Sequence, residues 1–197
     1  MNELAQGDAS PGQRPRRCDT VPTDWLDVLP VVADRLRDYQ RELVAMVASA
    51  IRALIRRILV QGATGSGKTV MFCVMAAAAV AAGLPVLILA TRTRLVRQIH
   101  ETLEAFKVPH GVIAAGLPGF SDRGKLVQVA SADTLHRRAI VNGHMPLPPA
   151  SVVIFDEAHL ASADTRLGIL DSYPNAIRIG VYRNACPQVR QIAVHRF

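Results

Sequence analysis

The sequence predicts an α/β fold of three layers, in which a mostly parallel sheet carries helices on both faces. Half of its 197 residues are hydrophobic but only 5% are aromatic, so its core consists mainly of Ala, Val, Leu and Ile. That composition suits helices packed on a buried parallel sheet. Short apolar runs alternate with helical segments, as in strand-helix-strand units, and a glycine-rich loop follows one of these runs.

Apolar periodicity assigns the elements in chain order. An amphipathic helix with one apolar face is predicted over residues 36–55. Strands are predicted at residues 57–60, 85–90, 112–114, 126–130 and 151–155. Further helices are predicted over residues 69–82 and 95–106, and another begins after residue 131, where Ser131 or Asp133 can supply the cap.

The glycine-rich loop at residues 62–69 reads Gly-Ala-Thr-Gly-Ser-Gly-Lys-Thr and matches G-x-x-x-x-G-K-[ST]. In this pattern backbone N–H groups surround phosphates, the lysine reaches the β and γ oxygens, and the hydroxyl holds Mg²⁺. Glycines are needed because the loop adopts backbone angles that are closed to residues with a Cβ. The predicted nucleotide-binding residues are Gly62, Ala63, Thr64, Gly65, Ser66, Gly67, Lys68 and Thr69.

Two acids, Asp156 and Glu157, directly follow the predicted strand 151–155. An aspartate in this place can hold Mg²⁺, and the adjacent glutamate can orient and deprotonate the attacking water. We expect Lys68 and both carboxylates to converge from neighbouring strands on one triphosphate and its magnesium. The alternative is a capped strand-to-helix turn with exposed acids.

Several polar residues near the loop can contact a ligand. Gln40, at a helix start ahead of the loop, can offer both an acceptor and a donor to an adenine edge, although by itself it is an ordinary surface residue. Arg92 and Arg94, with Thr91 or Thr93, follow a predicted strand at its carboxyl end, where open α/β sheets bind ligands. Their guanidinium and hydroxyl groups can bind phosphates.

The net charge and the cysteines bear on the binding partner and the cellular compartment of the protein. The net charge of +7 is compatible with a polyanionic partner, although surplus arginine is also common on solvated surfaces. The three cysteines, Cys18, Cys73 and Cys186, lie far apart without C-x-x-C spacing, which argues against a zinc site and against a disulfide framework. A cytoplasmic, reducing setting is the simplest, and no secretory signal is visible.

Residues 70–90 are almost wholly apolar and have about the length of a membrane span. The sequence Gly83-Leu84-Pro85 interrupts this segment, and its first residues directly follow the phosphate loop. We therefore predict a buried helix and a buried strand here, with no membrane partner.

Five motifs in order resemble the superfamily 2 helicases and translocases, most closely the helicase subunits of type III restriction enzymes and RadD-like repair ATPases. The resemblance covers residues 36–180. The motifs are Tyr39-Gln40, the phosphate loop 62–69, Thr-Arg-Thr-Arg-Leu-x-x-Gln at 91–98, Ala-Ser-Ala-Asp-Thr-Leu at 130–135 and the DEAH box, Asp-Glu-Ala-His, at 156–159.

The resemblance implies a RecA-like domain that uses ATP and Mg²⁺ and that binds nucleic acid, DNA rather than RNA. It also implies a role for each matching residue. Gln40 reads adenine, Lys68 and Thr69 bind phosphates and Mg²⁺, Asp156 holds the metal, Glu157 is the general base, His159 couples the nucleotide to the moving parts, and Arg92, Arg94 and Thr134 face the nucleic-acid backbone.

The resemblance divides the chain into a disordered basic leader (1–23), an ATP-binding domain (24–180) and an atypical tail (181–197). The family continues after Gly180 with one variable residue and Thr-Ala-Thr-Pro, whereas this chain reads Val-Tyr-Arg-Asn-Ala-Cys-Pro. Suitable codons for that stretch, read one nucleotide later, spell Phe-Thr-Ala-Thr-Pro. An out-of-frame tail is therefore one hypothesis, which the DNA sequence decides.

The second RecA-like domain of the family, with the arginine that completes the ATP site, is expected to be missing from this chain. Slow hydrolysis at best and no unwinding follow from that expectation. Two other functions stay open: another P-loop ATPase or kinase, and a non-catalytic remnant. The DEAH box and the Gln40 segment argue against a kinase, as does the lack of an obvious lid.

Overall fold

The structure is a computed structural model. It describes residues 21–27, 31–62, 67–117, 122–156, 163–183 and 192–193. The predicted leader 1–23 lies outside these residues except for its last three.

A seven-stranded sheet in the order β3-β4-β2-β5-β6-β1-β7 forms the centre of the described chain. The strands are β1 (Arg57–Gly62), β2 (Val86–Ala90), β3 (His110–Ile113), β4 (Val127–Ser131), β5 (Val152–Phe155), β6 (Ile177–Arg183) and β7 (Ile192–Ala193). The first six strands pair in parallel, and the two-residue β7 pairs with β1 antiparallel. The predicted α/β fold with a mostly parallel sheet is confirmed.

The helices alternate with the strands along the chain. They are α1 (Asp38–Arg52), α2 (Lys68–Ala81), α3 (Thr93–Ala105), α4 (Ala132–Leu135) and α5 (Ala163–Asp171). A short 3₁₀ helix, Val31–Arg35, precedes α1, and a π-helical turn, His136–Val141, continues α4. Ser131, one of the two predicted cap residues, is the N-cap of α4, but its side chain forms no cap hydrogen bond within the described chain.

Two apolar clusters lie on opposite faces of the sheet. In β2, Val86, Ile88 and Ala90 belong to the cluster that α1, α2 and α3 cover, whereas Leu87 and Leu89 belong to the cluster under α4 and α5. This assignment follows from the alternation of side chains along a strand. All five residues of β2 are buried, which explains why its sequence is continuously apolar rather than alternating.

Helix α2 is the apolar segment whose sequence has the length of a membrane span. Its residues 71–79 are all buried, because the helix lies between the sheet and its neighbours α1 and α3. Among the described helices, none combines the length and the apolar character that a bilayer crossing requires. Burial also raises the pKa of the Cys73 thiol far above its ordinary value, so this cysteine stays protonated within the core.

Strands β6 and β7 and helix α5 were not predicted from the sequence. Residues 181–183, at the start of the predicted atypical tail, continue β6 beside β1, and β7 also lies in that tail. Strand β3 begins at His110, two residues earlier than predicted, and ends at Ile113.

Gly180 in β6 allows three strands to pack closely. A Cβ added to Gly180 would lie 2.6 Å from ring atoms of Phe155 in β5 and 3.1 Å from Cδ1 of Leu59 in β1. We expect Gly180→Ala to lower the free energy of unfolding by about 1–3 kcal/mol, because the extra methyl overpacks this site. Urea unfolding measures the change.

Phe155→Leu tests whether the aromatic ring causes that loss. In the double variant, the smaller side chain should relieve part of the overlap and give a favourable coupling of about 1 kcal/mol between the two changes. Additive losses, or an unchanged stability of Gly180→Ala, would contradict the close packing.

Candidate nucleotide-binding site

The carboxyl ends of β1, β6 and β5 are aligned at one edge of the sheet. Leu59 pairs with Gly180, and Gly180 pairs with Phe155, so these three residues lie at the same level. Asp156 follows Phe155, and its backbone N–H donates to the Leu89 carbonyl at 3.1 Å. Asp156 and the phosphate loop after β1 therefore leave the sheet at the same edge, as predicted.

Strands β1 and β5 are not neighbours, however, because β6 lies between them. The prediction that the loop and the acids follow neighbouring strands is wrong in this respect. At the usual spacing of parallel strands, the backbones of β1 and β5 are about 10 Å apart. A ligand that reaches both would lie across the end of β6, outside the carboxyl ends of the strands, where open α/β sheets bind ligands.

Gly67 connects the phosphate loop to α2 and shows why a glycine is needed there. Its φ of 65° and ψ of 34° lie in the left-handed region, which side chains disfavour. An added Cβ would also collide with Nε2 of Gln40. The left-handed backbone disfavours a residue with a Cβ, in agreement with the predicted need for glycine, and a larger residue would also displace the Gln40 amide.

Gln40 joins the start of α1 to the end of the phosphate loop. Its Oε1 accepts the Arg37 backbone N–H at 2.8 Å, and its Nε2 donates to the Gly67 carbonyl at 3.2 Å. The residue is only 3% exposed, so it is not an ordinary surface glutamine. The predicted adenine contact of Gln40 stays a prediction.

Gln98 contacts the site from α3, a role that the sequence analysis did not assign. Its Nε2 donates to Oγ1 of Thr69 at 3.3 Å. A hydroxyl oxygen has two lone pairs, so the contact leaves one for a cation. Gln98 is the last residue of the segment 91–98 that resembles a helicase motif, and this position was the available signal.

The remaining predicted residues lie at the starts of helices. Lys68 is the first residue of α2 and is half-buried. Arg92 and Arg94 are exposed at the start of α3. Thr134 in α4 is half-buried, and its Oγ1 accepts the Ala115 backbone N–H at 3.4 Å.

Thr91 and Thr93 are the two predicted alternatives for a phosphate contact. Oγ1 of Thr91 is buried and has no hydrogen-bond partner within the described chain. Thr93 is exposed in the first turn of α3. Accessibility therefore favours Thr93.

The N-termini of three helices lie at the carboxyl edge of the sheet. Helices α2, α3 and α4 follow β1, β2 and β4. Helix N-termini carry partial positive charge and unpaired N–H groups, which favour anions. Together with Arg92 and Arg94, they make this edge suitable for phosphates.

Several predicted residues lie outside the described residues, and their roles stay predictions. They are Ala63, Thr64, Gly65, Ser66, Glu157 and His159.

The fold, the glycine-rich loop and the aspartate at the same edge define a P-loop NTPase domain of the RecA-like type. The sequence model of the family described as "Type III restriction enzyme, res subunit" matches residues 34–181. The chain therefore belongs to that family and is a helicase-family ATPase domain. A comparison with curated proteins gives no match.

Solved helicases have the same fold. The UvsW helicase from bacteriophage T4 matches with a TM-score of 0.59 and 18% identity, over 75% of this chain and 52% of that chain. A hypothetical ATP-dependent RNA helicase from Sulfolobus tokodaii gives 0.58 and 20%, over 78% and 47%. The Hef helicase domain of Pyrococcus furiosus gives 0.57 and 24%, over 82% and 36%. The chain thus matches about half or less of each relative.

The two glutamines should differ in what they stabilise. Gln40→Met keeps the side-chain volume but removes both hydrogen bonds at a buried position, so we expect a loss of about 1–3 kcal/mol in the free energy of unfolding. Gln98→Met changes an exposed side chain, so we expect a stability change within about 0.5 kcal/mol. Urea unfolding of both variants measures this difference, and equal losses would contradict it.

Proposed function

We propose that the chain is the ATP- and Mg²⁺-binding domain of a DEAH-type, DNA-dependent ATPase. One observation carries the proposal: the N-terminus of α2 is fixed at Gly67 by Gln40 and at Thr69 by Gln98, at the sheet edge where Asp156 follows β5. A helix N-terminus fixed in this way has its N–H groups positioned for phosphates before a ligand binds.

The residues at this edge fit a magnesium nucleotide. Mg²⁺ prefers oxygen ligands, and the Thr69 hydroxyl and the Asp156 carboxylate are of that kind. When it is bound, Mg²⁺ neutralises part of the negative charge of the phosphates. Lys68 would contact the phosphates, Gln40 the adenine, and Glu157 would take the proton of the attacking water. His159 would couple these groups to the moving parts.

Helix α3 supports a coupling between ATP and nucleic acid. Its first turn carries Arg94, whose exposed guanidinium can bind a phosphate, and Gln98 one turn later contacts Thr69. Arg92 and Thr134 extend the same edge. The family description names a restriction enzyme, which favours DNA, whereas one structural neighbour is described as an RNA helicase. Both nucleic acids therefore belong in the test.

The chain alone should turn over ATP slowly and should not unwind a duplex. In two-lobed ATPases an arginine from the facing domain stabilises transition-state charge and contributes orders of magnitude to the rate. Unwinding also needs two lobes that open and close with the nucleotide. This chain matches about half or less of each of the solved helicases.

Lys68→Ala tests the nucleotide site. Loss of the ammonium should weaken binding of a fluorescent ATP analogue with Mg²⁺ at least tenfold, because the lysine contacts the most charged part of the ligand. The matched control is Lys125→Ala, an exposed lysine before β4 at the opposite edge of the sheet, which should bind like the unchanged chain.

ATP turnover with and without single-stranded DNA, duplex DNA and RNA then tests the reaction, with Glu157→Gln as the inactive control. Stimulation by DNA alone supports the proposed partner. Equal affinity of Lys68→Ala and the unchanged chain for the analogue would overturn the nucleotide site. Phosphate transfer to an acceptor other than water would indicate a kinase. ATP-dependent strand separation would refute the expectation that this chain alone does not unwind a duplex.

Arg94→Ala tests the nucleic-acid contact. If Arg94 binds one phosphate, the slope of log affinity against log salt should become shallower by roughly one unit, with a similar loss for every DNA sequence. Arg123→Ala is the matched control, because Arg123 is exposed before β4. Equal salt slopes for the two variants would contradict a phosphate contact at Arg94.

A further inference from the structure

Two histidines and a glutamate meet where α3 packs beside the edge strand β3. His100 and Glu104 lie one helical turn apart on α3, and His110 is the first residue of β3. One potential ligand atom from each residue lies within 4.8 Å of those from the other two. Because His110 stands at the amino end of its strand, the cluster is separate from the nucleotide site at the carboxyl edge.

The hydrogen bonds of His110 direct one ring nitrogen towards His100. Its Nδ1 is 2.8 Å from the Val108 carbonyl, which accepts only from an N–H. The lone pair of the neutral ring therefore lies on Nε2, 2.7 Å from Nδ1 of His100. A histidine whose other nitrogen donates to a backbone carbonyl is oriented as metal-binding histidines usually are.

The positions of the other two side chains allow adjustment. His110 is fixed, with a side chain only 1% exposed, whereas the Glu104 side chain is 66% exposed. His100 is half-buried. Tetrahedral zinc with bonds of about 2.0–2.1 Å requires roughly 3.3 Å between two nitrogens. The His100 ring would therefore have to withdraw by about 0.6 Å and to turn the lone pair of its Nδ1 towards the metal.

We propose that His100, Glu104 and His110 form a zinc-binding site, with water as the fourth ligand. Two imidazole nitrogens and one carboxylate form a ligand set that zinc takes in proteins, and imidazole favours zinc over the Mg²⁺ of the nucleotide site. Cysteine spacing, which argued against a zinc site, gives no indication of it, because the ligands proposed here are two histidines and a glutamate. Zinc bound here connects α3 to β3 and so attaches this edge strand to the helix that packs beside it.

The experiment uses the full chain, freed of metal with a chelator and kept in excess Mg²⁺ to occupy oxygen sites. Zinc stoichiometry is measured near neutral pH by competition with a chromophoric chelator, and Co²⁺ replaces zinc for visible absorption spectra. The variants are His100→Gln and Glu104→Gln, and the matched controls on exposed residues outside the cluster are His144→Gln and Glu101→Gln.

We expect the unchanged chain and both controls to bind one more zinc ion per chain than His100→Gln binds. Glu104→Gln should bind that ion with an affinity at least tenfold lower than that of the unchanged chain. Zinc at about a hundredfold excess over Kd should raise Tm by roughly 5 °C in the unchanged chain but not in His100→Gln. Circular dichroism without zinc checks that the variants fold.

Equal stoichiometry in the unchanged chain and His100→Gln would overturn the proposal and leave a hydrogen-bonded pair of histidines. So would a Co²⁺ spectrum that does not change on substitution of His100. The outcome is independent of the nucleotide site, because Lys68→Ala should retain the zinc and lose only ATP.

Discussion

The alignment of β1, β6 and β5 is the constraint on which the nucleotide site depends. The phosphate loop and Asp156 reach one edge together because Leu59, Gly180 and Phe155 are paired at one level. A slip of one residue in β6 would turn its side chains to the opposite face. It would replace Gly180, the residue without a side chain, by the β-branched Ile179 or Val181 against the Phe155 ring. Close packing at Gly180 therefore supports the register and, through it, the site.

Two glutamines then fix the phosphate loop to elements on either side of it. Gln40 belongs to α1, which precedes the loop, and Gln98 belongs to α3, which follows β2. We expect Gln40 to have the larger energetic effect, because its side chain is buried and its two hydrogen bonds are partly buried, whereas water can replace the exposed Gln98. Gln40 thus stabilises the geometry of the loop, whereas Gln98 connects Thr69 to α3 through a hydrogen bond.

Local sequence patterns were sufficient to predict most of the helices and strands but not the order of the strands in the sheet. Residues 85–90 were recognisable because all five residues of β2 are buried, which makes the run continuously apolar. Strand β6 was missed because Arg178 and Gly180 interrupt its apolar pattern, and its neighbours β1 and β5 supply the pairing. The order of strands is a tertiary property, so the sequence did not reveal that β6 separates the loop from the acids.

The functional residues, too, were predictable only where one continuous stretch of sequence supplies them. The spacing of glycines, lysine and threonine predicts phosphate binding, because one continuous loop supplies those groups. The contact of Gln98 with Thr69 joins residues 29 positions apart, and the His100–His110 pair requires α3 to pack beside β3. No local spacing encodes such pairs, and they become visible only when the fold brings the elements together.

Helix α3 connects the regions of this domain that carry different chemistry. Val96, Ile99 and Leu103 are almost completely buried and hold the helix on the sheet as one rigid element. Along α3, Arg94 lies at one end, Gln98 in the middle, and His100 and Glu104 in the last turns. If Arg94 binds nucleic acid as proposed, a displacement there would reach Gln98 within a single helical turn and would change its hydrogen bond to Thr69. If the end of α3 is tied to β3, the helix must pivot rather than slide, which concentrates the displacement at the turn nearest the nucleotide.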